Sequence, residues 1–324
     1  MKENIEKLLV EVTGAKEVVS QQLIQSLWSG YGEILKVELS GDCPLSLIVK
    51  SVVIPDKTKH PRGWNTDRSH QRKVRSYKVE MAWYRDWSDR CGELCRVADC
   101  YSSVSQGQEC IILLEDLDAA GFPKRKSQLS KAEVKVCLRW LANFHATFLG
   151  EKPAGLWKTG SYWHLATRPD ELAAMQDKAL QQAAAKIDAI LSSCKYQTII
   201  HGDAKLANFC FSWDGKKVAA VDFQYVGGGC GMKDVVYFLG SCLSEEQCNR
   251  WQSELLDYYF SALNDALILN GKEIDGAAVK VEWLPLFAMA WTDFHRFILG
   301  WMPTHHKINA YSQRLASQVL AQLR

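Results

Sequence analysis

The sequence has no surplus of charge of either sign: 39 lysines and arginines stand against 37 aspartates and glutamates in 324 residues. No global field is present to recruit nucleic acid or a membrane surface, so electrostatic recognition has to be local. Long apolar runs are missing too. None reaches the ~18 residues that a membrane-spanning helix needs, and Met1-Lys2-Glu3-Asn4 opens without an apolar signal region, so a cytoplasmic protein is expected. The eleven cysteines lack the setting of a disulfide framework, because their number is odd, the chain is large and a secretory signal is absent. Reduced thiols are expected. A zinc site is poorly supported, since Cys91-x-x-x-Cys95 and Cys95-x-x-x-x-Cys100 have no second Cys or His pair at ligand spacing. What remains is an ordinary globular composition, 47% hydrophobic and 23% charged, on a chain long enough for one large domain or a two-lobed unit.

The most informative stretch runs from Ile199 through His201-Gly202-Asp203-Ala204-Lys205-Leu206-Ala207-Asn208 to Phe211, and resumes at Val221-Asp222-Phe223-Gln224. Asp203, Asn208 and Asp222 lie beside β-prone apolar segments, where polar groups are expensive to bury unless they bind something. A metal ion with phosphate oxygens would meet that need. The Asp-x-Lys-x-x-Asn spacing sets a carboxylate, an ammonium and an amide along one tight loop, and the Asp214-Gly215 turn lets a second strand bring Asp222 back to it.

This stretch resembles the catalytic and metal-binding segments of the kinase-like phosphotransferases that act on small molecules, a superfamily with aminoglycoside phosphotransferase, choline kinase and ecdysteroid-kinase-like branches. Protein kinases carry H-R-D-x-K-x-x-N and then D-F-G at these places. Here Gly202 stands for the arginine, and Asp222-Phe223-Gln224 for D-F-G, as in the small-molecule branch. The resemblance implies a two-lobed, protein-kinase-like α+β fold: an N-terminal antiparallel sheet lobe over residues 1–114 and a larger, mostly helical catalytic and acceptor lobe over 115–324. It further implies ATP and Mg²⁺ as cofactors. Asp203 would accept or orient the hydroxyl proton, Lys205 would stabilise the transferred phosphate, and Asn208 and Asp222 would hold the metal.

The remaining elements follow in order, beginning with the first 25 residues, where Ile5, Leu8, Leu9, Val12 and Val19 at loosely helical intervals read as a leading helix with the approach to the first strand. Gly30-x-Gly32 sits in a turn before the strand-like Ile34 to Leu39, where its backbone N–H groups would cover phosphates, although two glycines between strands commonly mean only a turn. Lys50 ends Leu47-Ile48-Val49-Lys50, resembling the V-A-I-K strand. Its expected partner is Glu80, in a segment similar to the R-E-x-x-F-Y helix of the superfamily, with Trp83 and Tyr84 at helical spacing after it. Ile111 to Leu117 resembles the L-L-E-D-L hinge, which places the adenine edge against the backbone at Glu115 and Leu117. Lys57 to Lys78 is basic and reads as a mobile loop near the phosphates, with a nucleic-acid arm as the competing reading.

Ser130-x-x-Glu133 is a capping box opening a core helix to about Gly150 that carries His145, expected buried and supporting the catalytic loop. A helix is expected from Pro169 to about Leu191, a Gly-rich turn over Gly227–Gly231, and Asp234 at the start of the next helix, either as a favourable first-turn carboxylate or, as the resemblance implies, bracing the catalytic loop. The tail reads as helices over Ser244–Leu269, Ala277–Trp301 and His305–Leu323. Too few residues separate Asp222 from the helix at Asp234 for an activation loop, and no A-P-E follows, so a protein substrate has no platform. The expected acceptor is a neutral or singly charged alcohol, because the tail from Gly276 on carries only Glu282 and Asp293 as acids beside Trp283, Trp291 and Trp301. An aminoglycoside-type transferase using Asp170, Glu171 and Asp177, and a catalytically inactive nucleotide-binding protein, are the competing readings.

Overall fold

Alternation sets the first half of the molecule. In the computed structural model, which describes residues 3–27, 30–41, 46–53 and 67–324, strands β1 (Glu17–Ser26), β2 (Gly32–Ser40), β3 (Ser46–Val53), β4 (Cys100–Gln106) and β5 (Glu109–Glu115) form an antiparallel sheet in the order β1-β2-β3-β5-β4. One face carries Leu35, Val37, Leu39, Leu47, Val49, Ile111 and Leu113, and packs on Ile5 and Leu9 of helix α1 (Glu3–Thr13). Because side chains on a strand alternate between faces, Ile48 and Lys50 point the other way. Lys50, paired in register with Ile34 and Ile112, thus comes to the face that meets helix α2 (Asp67–Asp86).

The helices and a few short strands complete the molecule: α3 (Lys131–Thr147), α4 (Pro169–Ala174), α5 (Lys178–Ser192), β6 (Thr198–Ile200), β7 (Phe209–Phe211), β8 (Val218–Ala220), β9 (Gly227–Gly229), α6 (Met232–Cys242), α7 (Glu245–Leu269), α8 (Gly276–Trp301) and α9 (Ala310–Leu323). The Ser130–Glu133 and Ser244–Gln247 capping boxes are both formed, satisfying N–H groups at the starts of α3 and α7. The largest apolar cluster runs from Tyr77 and Trp83 of α2, with Trp87 just beyond it, through Trp140 and Phe144 of α3 to Trp283 and Trp291 of α8, so those two tryptophans, expected beside the acceptor, are core packing, whereas Trp301 lines the cleft.

Five expectations are corrected. The leading helix stops at Thr13, and Val19 lies on β1, an edge strand whose residues are mostly solvent-exposed; with no buried face it has no alternation to reveal it. The basic stretch is helix α2 from Asp67 onward, while residues 57–66 lie outside the described residues. The helix after Pro169 is broken, because Met175 turns extended and Asp177 restarts it by accepting from the Leu180 N–H. Gly227–Gly229 is not a turn but strand β9 on β6, in a space where a Cβ on Gly227 would fall 2.2 Å from the Trp157 carbonyl oxygen. Finally, α9 begins at Ala310, capped by Asn309, and residues 302–309 form the connection.

Candidate active site

Strand β6 delivers the chain to His201, Gly202 and Asp203, and the local conformation has identifiable causes. Gly202 has φ +78°, and a Cβ there would lie 2.1 Å from the Tyr225 carbonyl oxygen, so no residue with a side chain fits. That is why glycine stands where protein kinases have arginine. The N–H groups of His201 and Gly202 donate to the two carboxylate oxygens of Asp234 at 2.6 and 2.9 Å. Asp234 also meets His145 Nε2 at 3.1 Å, and His145 Nδ1 meets the Tyr259 hydroxyl at 2.9 Å. The bracing of this loop by Asp234, with His145 behind it, is therefore as expected from the sequence. His201 receives the Asp203 N–H on Nδ1 at 3.2 Å and faces the Val221 carbonyl with Nε2 at 3.0 Å. Only the neutral tautomer with a proton on Nε2 satisfies both contacts.

Asp203 and Asp222 end up facing each other's environment but with opposite electrostatics. Asp203 Oδ2 accepts from Lys205 Nζ at 2.9 Å and from Asn208 Nδ2 at 3.1 Å, while its Oδ1 is buried with no hydrogen bond. Burial, aided by the Asp222 charge and opposed by Lys205, holds the Asp203 carboxyl above its ordinary range. At Asp222, burial pushes upward as well, but the ammonium groups of Lys50, Lys205 and Lys73 outweigh it and hold that carboxyl below its ordinary range. Asp222 has φ +67°, an unfavourable conformation for a residue with a side chain. Its Oδ1 is buried, without a hydrogen bond, 3.9 Å from Lys50 Nζ.

Lys50 and Glu80 form a buried pair, with Nζ–Oε distances of 2.6 and 2.8 Å. Phe223 follows Asp222 and stacks on Trp83 at 4.5 Å, fixing that segment to α2. At the end of β5, the Glu115 N–H donates to the Asp99 carbonyl and its carboxylate pairs with Arg96. Asp116 is a buried carboxylate held by Lys36 at 2.7 Å and Ser46 Oγ at 2.8 Å. The Leu117 carbonyl accepts from Phe122, leaving the Leu117 N–H without a backbone partner among the described residues.

One cleft of about 1270 Å³ collects Lys50, Glu80, Glu115, Leu117, Asp203, Lys205, Asn208 and Asp222. Its volume exceeds the ~300–1,000 Å³ usual for a single small ligand, so two ligands can share it. Gly30 and Gly32 flank Tyr31 at the β1–β2 turn, where Tyr31 and Leu27 supply the cleft wall and the two glycines do not. Whether the residues fit a magnesium ion can be judged from the donors. Asn208 turns its amide nitrogen to Asp203, which leaves Oδ1 without a protein partner among the described residues, and the Asp222 Oδ1, which has no hydrogen bond, adds a second hard oxygen. No group of three or more His, Cys, Asp or Glu capable of holding a metal occurs among the described residues. An oxygen pair completed by phosphates and water is what Mg²⁺ takes at nucleotide sites, so the donors fit.

Several lining residues escaped the sequence reading. Lys73 donates to Gln224 Oε1 at 2.9 Å, and Ser76 Oγ donates to the same atom at 3.3 Å; burial lowers the Lys73 pKa to about 8. Its place two helical turns before Glu80 was the available signal, since residues seven apart share a helix face. Arg72, Tyr162, Arg168, Tyr225, Tyr237, Phe297 and Lys307 form the wall beyond Asp203. By contrast, Asp293 is committed to Arg296 at 2.9 Å and Trp163 Nε1 at 3.1 Å, and His295 lines a separate small cavity. The described cysteines are free thiols, and among the described residues no helix is long and apolar enough to cross a membrane.

Comparison with known proteins fits this geometry. The model of the family described as "Ecdysteroid kinase-like family" matches residues 40–150 and 158–271, more than half of the chain. Among solved structures, the chain is similar to a microcompartment-associated aminopropanol kinase, at 14% identity and TM-score 0.50 over 98% of this chain and 94% of that one. It is similar as well to the aminoglycoside 2'-phosphotransferase-IIIa of a GDP complex, at 10% identity and TM-score 0.50 over 99% of both chains. No curated protein sequence matches. At such identities the structural likeness is one of fold, and the fold is that of the protein-kinase-like small-molecule phosphotransferases, an α+β arrangement of antiparallel sheet and helical lobe.

Proposed function

The chain belongs to the ecdysteroid kinase-like family, and from that premise we propose that it transfers the γ-phosphoryl group of ATP to a hydroxyl of a small, neutral or singly charged molecule. The observation that carries the proposal is the pair of buried carboxylate oxygens without hydrogen bonds on Asp203 and Asp222, lining one cleft together with the Lys50–Glu80 pair. In this reading Asp203 orients the acceptor hydroxyl and takes its proton, with Asn208 and Lys205 fixing the carboxylate. Asn208 and Asp222 hold Mg²⁺, which when bound neutralises phosphate charge and aligns the phosphoryl group. Lys50, fixed by Glu80, contacts the phosphates, and Lys73 stands beside it on the α2 face. The Leu117 N–H is free to meet the adenine edge. The sheet portion to residue 114 and the helical portion from 115 act as nucleotide and acceptor lobes around the cleft.

The lysine–glutamate pair gives one prediction. Lys50→Ala should lower kcat/KM for ATP roughly ten- to hundredfold, the scale of a lost charge-assisted hydrogen bond. Glu80→Ala should cost less, and adding it to Lys50→Ala should cost little more, because both act through one contact. Steady-state kinetics of the two single variants and the double variant would show it; fully additive losses would count against the pair.

The acceptor wall argues against polycations. Glu171 is buried on Arg168 at 2.9 Å, Asp177 caps α5, Asp170 lies 3.9 Å from Arg68, and Glu282 accepts the N–H groups of Lys195 and Tyr196. None of these carboxylates lines the cleft. In a mixed panel assayed for phosphate transfer from ATP, alcohols of zero or single charge should therefore be turned over in preference to kanamycin-type aminoglycosides. Faster turnover of the aminoglycosides than of every other alcohol would reverse the assignment.

A further inference from the structure

The wall beyond Asp203 has aromatic faces and positive charge but lacks acids of its own. Tyr162, Tyr237, Phe294, Phe297 and Trp301 line it. Of its cations, Arg168 is paired with Glu171, and Lys205 with Asp203. Lys307 is different. Among the described residues it forms no ion pair or hydrogen bond from its side chain; its ammonium lies over the rings of Tyr237 and Phe294, 5.3 and 5.4 Å from their centroids. The titratable groups around it are the Cys242 thiol, pushed up by burial, Asp203, already bonded to Lys205, then Lys205 itself, His305 and His306. Glu245 lines a small cavity that Lys307 also borders, but no ion pair joins the two among the described residues.

Arg72 repeats the pattern from α2. It donates to the Thr167 carbonyl and Ser69 Oγ, forms no ion pair with a carboxylate among the described residues, and has Arg168, Tyr225, Tyr162 and, already bonded to Arg168, Glu171 around it. Burial lowers the Lys307 pKa to about 8 and depresses Arg72 as well, because the acids nearby, Asp203 and Glu171, are each bonded to another cation and offset only part of that cost. Nucleotide phosphates account for Lys50 and Lys73, which lie on the Asp222 side. They do not account for a lysine on the acceptor side of Asp203, set among aromatic rings.

We infer that the acceptor carries, besides the hydroxyl that receives the phosphate, one singly anionic group of the carboxylate type, and that Lys307 pairs with it while the ring-bearing body of the molecule lies on the aromatic wall. A single ammonium suits such a group, whereas a dianionic phosphate is better met by the fork of an arginine. The aromatic faces suit an apolar scaffold between the two polar ends. This inference rests on the phosphotransferase reading above and fixes the sign of the acceptor charge.

The test uses one scaffold in three charge states: para-hydroxymethyl benzoate, its carboxamide and its benzylamine counterpart. Phosphate transfer from ATP and calorimetric binding to the Mg-ADP-loaded protein are both measured. The acid should exceed the carboxamide at least about tenfold in kcat/KM and in affinity, and the amine should be weakest. Lys307→Gln should bring the acid-to-carboxamide ratio close to one, and Lys307→Arg should keep it well above one. A preference of the unaltered protein for the amide or amine, or no charge preference in binding, overturns the inference. So does a ratio that survives Lys307→Gln, or a Lys307→Gln variant whose KM for ATP rises as much as its KM for the acid, which would assign the lysine to the nucleotide. If the acid binds with the expected preference but no member of the series is phosphorylated, the charge reading stands, and the phosphotransferase reading is the one that fails.

Discussion

Replacement of Asp203 by asparagine is expected to lower turnover at least ~100-fold, the lower end for a lost general base, while Mg-nucleotide binding stays near its original strength. The asparagine keeps the shape and can still bond Lys205 or Asn208, whose contacts with the carboxylate are 2.9 and 3.1 Å. What it loses is the basicity of the buried Oδ1, which has no hydrogen bond. The sign of the pH effect follows from the environments. Asp203 sits above the ordinary carboxylate range because of burial, so the acidic limb of the kcat profile should lie at higher pH than a free aspartate would give, as protonation removes the base. Asp222 sits below that range and stays ionised across the same window, so metal-dependent nucleotide binding should persist where turnover has already fallen. Full turnover by Asp203→Asn on a verified acceptor would show the role to be wrong.

The second large effect is on stability. Asp234→Ala should destabilise the protein by about 3 kcal/mol or more, because it strands three buried donors at about 1–3 kcal/mol each. Those donors are the His201 and Gly202 N–H groups and the His145 ring. For a chain of this size, with an unfolding entropy of roughly 0.7 kcal/mol/K, that corresponds to a fall in Tm of about 4–5 °C or more. Asp234→Asn keeps one acceptor oxygen and should lose less. Thermal unfolding followed by circular dichroism would check both. Near-native melting of Asp234→Ala would mean that water or a neighbour takes over the contacts.

The legible part of the site was the part whose chemistry is written in short stretches. Asp203, Asn208 and Asp222 stand as polar residues in apolar surroundings, and Lys50 and Glu80 each sit in a recognisable local pattern; the chain places all five on one cleft. Strand β1 was missed because an edge strand with polar residues on both faces offers no period to read. Lys307 was missed for a different reason. Its significance lies in standing across from Asp203, more than a hundred residues away in the chain, and nothing in its own neighbourhood marks it. Gln224 was visible only as a departure from a pattern, and its bonds to Lys73 and Ser76 depend on how α2 packs.

The anchoring of the His201–Asp203 segment has an evolutionary consequence. The segment hangs from Asp234, His145 and Tyr259, on helices α6, α3 and α7, whereas Phe294, Phe297, Trp301 and Lys307 of the wall facing the acceptor come from α8 and the connection before α9, with Tyr237 as the wall residue that shares α6 with Asp234. Reaction and much of the recognition are therefore held by different struts. Residues 302–309 can change in sequence or length without shifting a hydrogen bond of the chemical apparatus, because none of those bonds crosses to them. Duplicated copies of such a gene could diverge rapidly in what they accept while each remains the same catalyst. Grafting that connection between paralogues would transfer preference without having to rebuild the machinery beneath it.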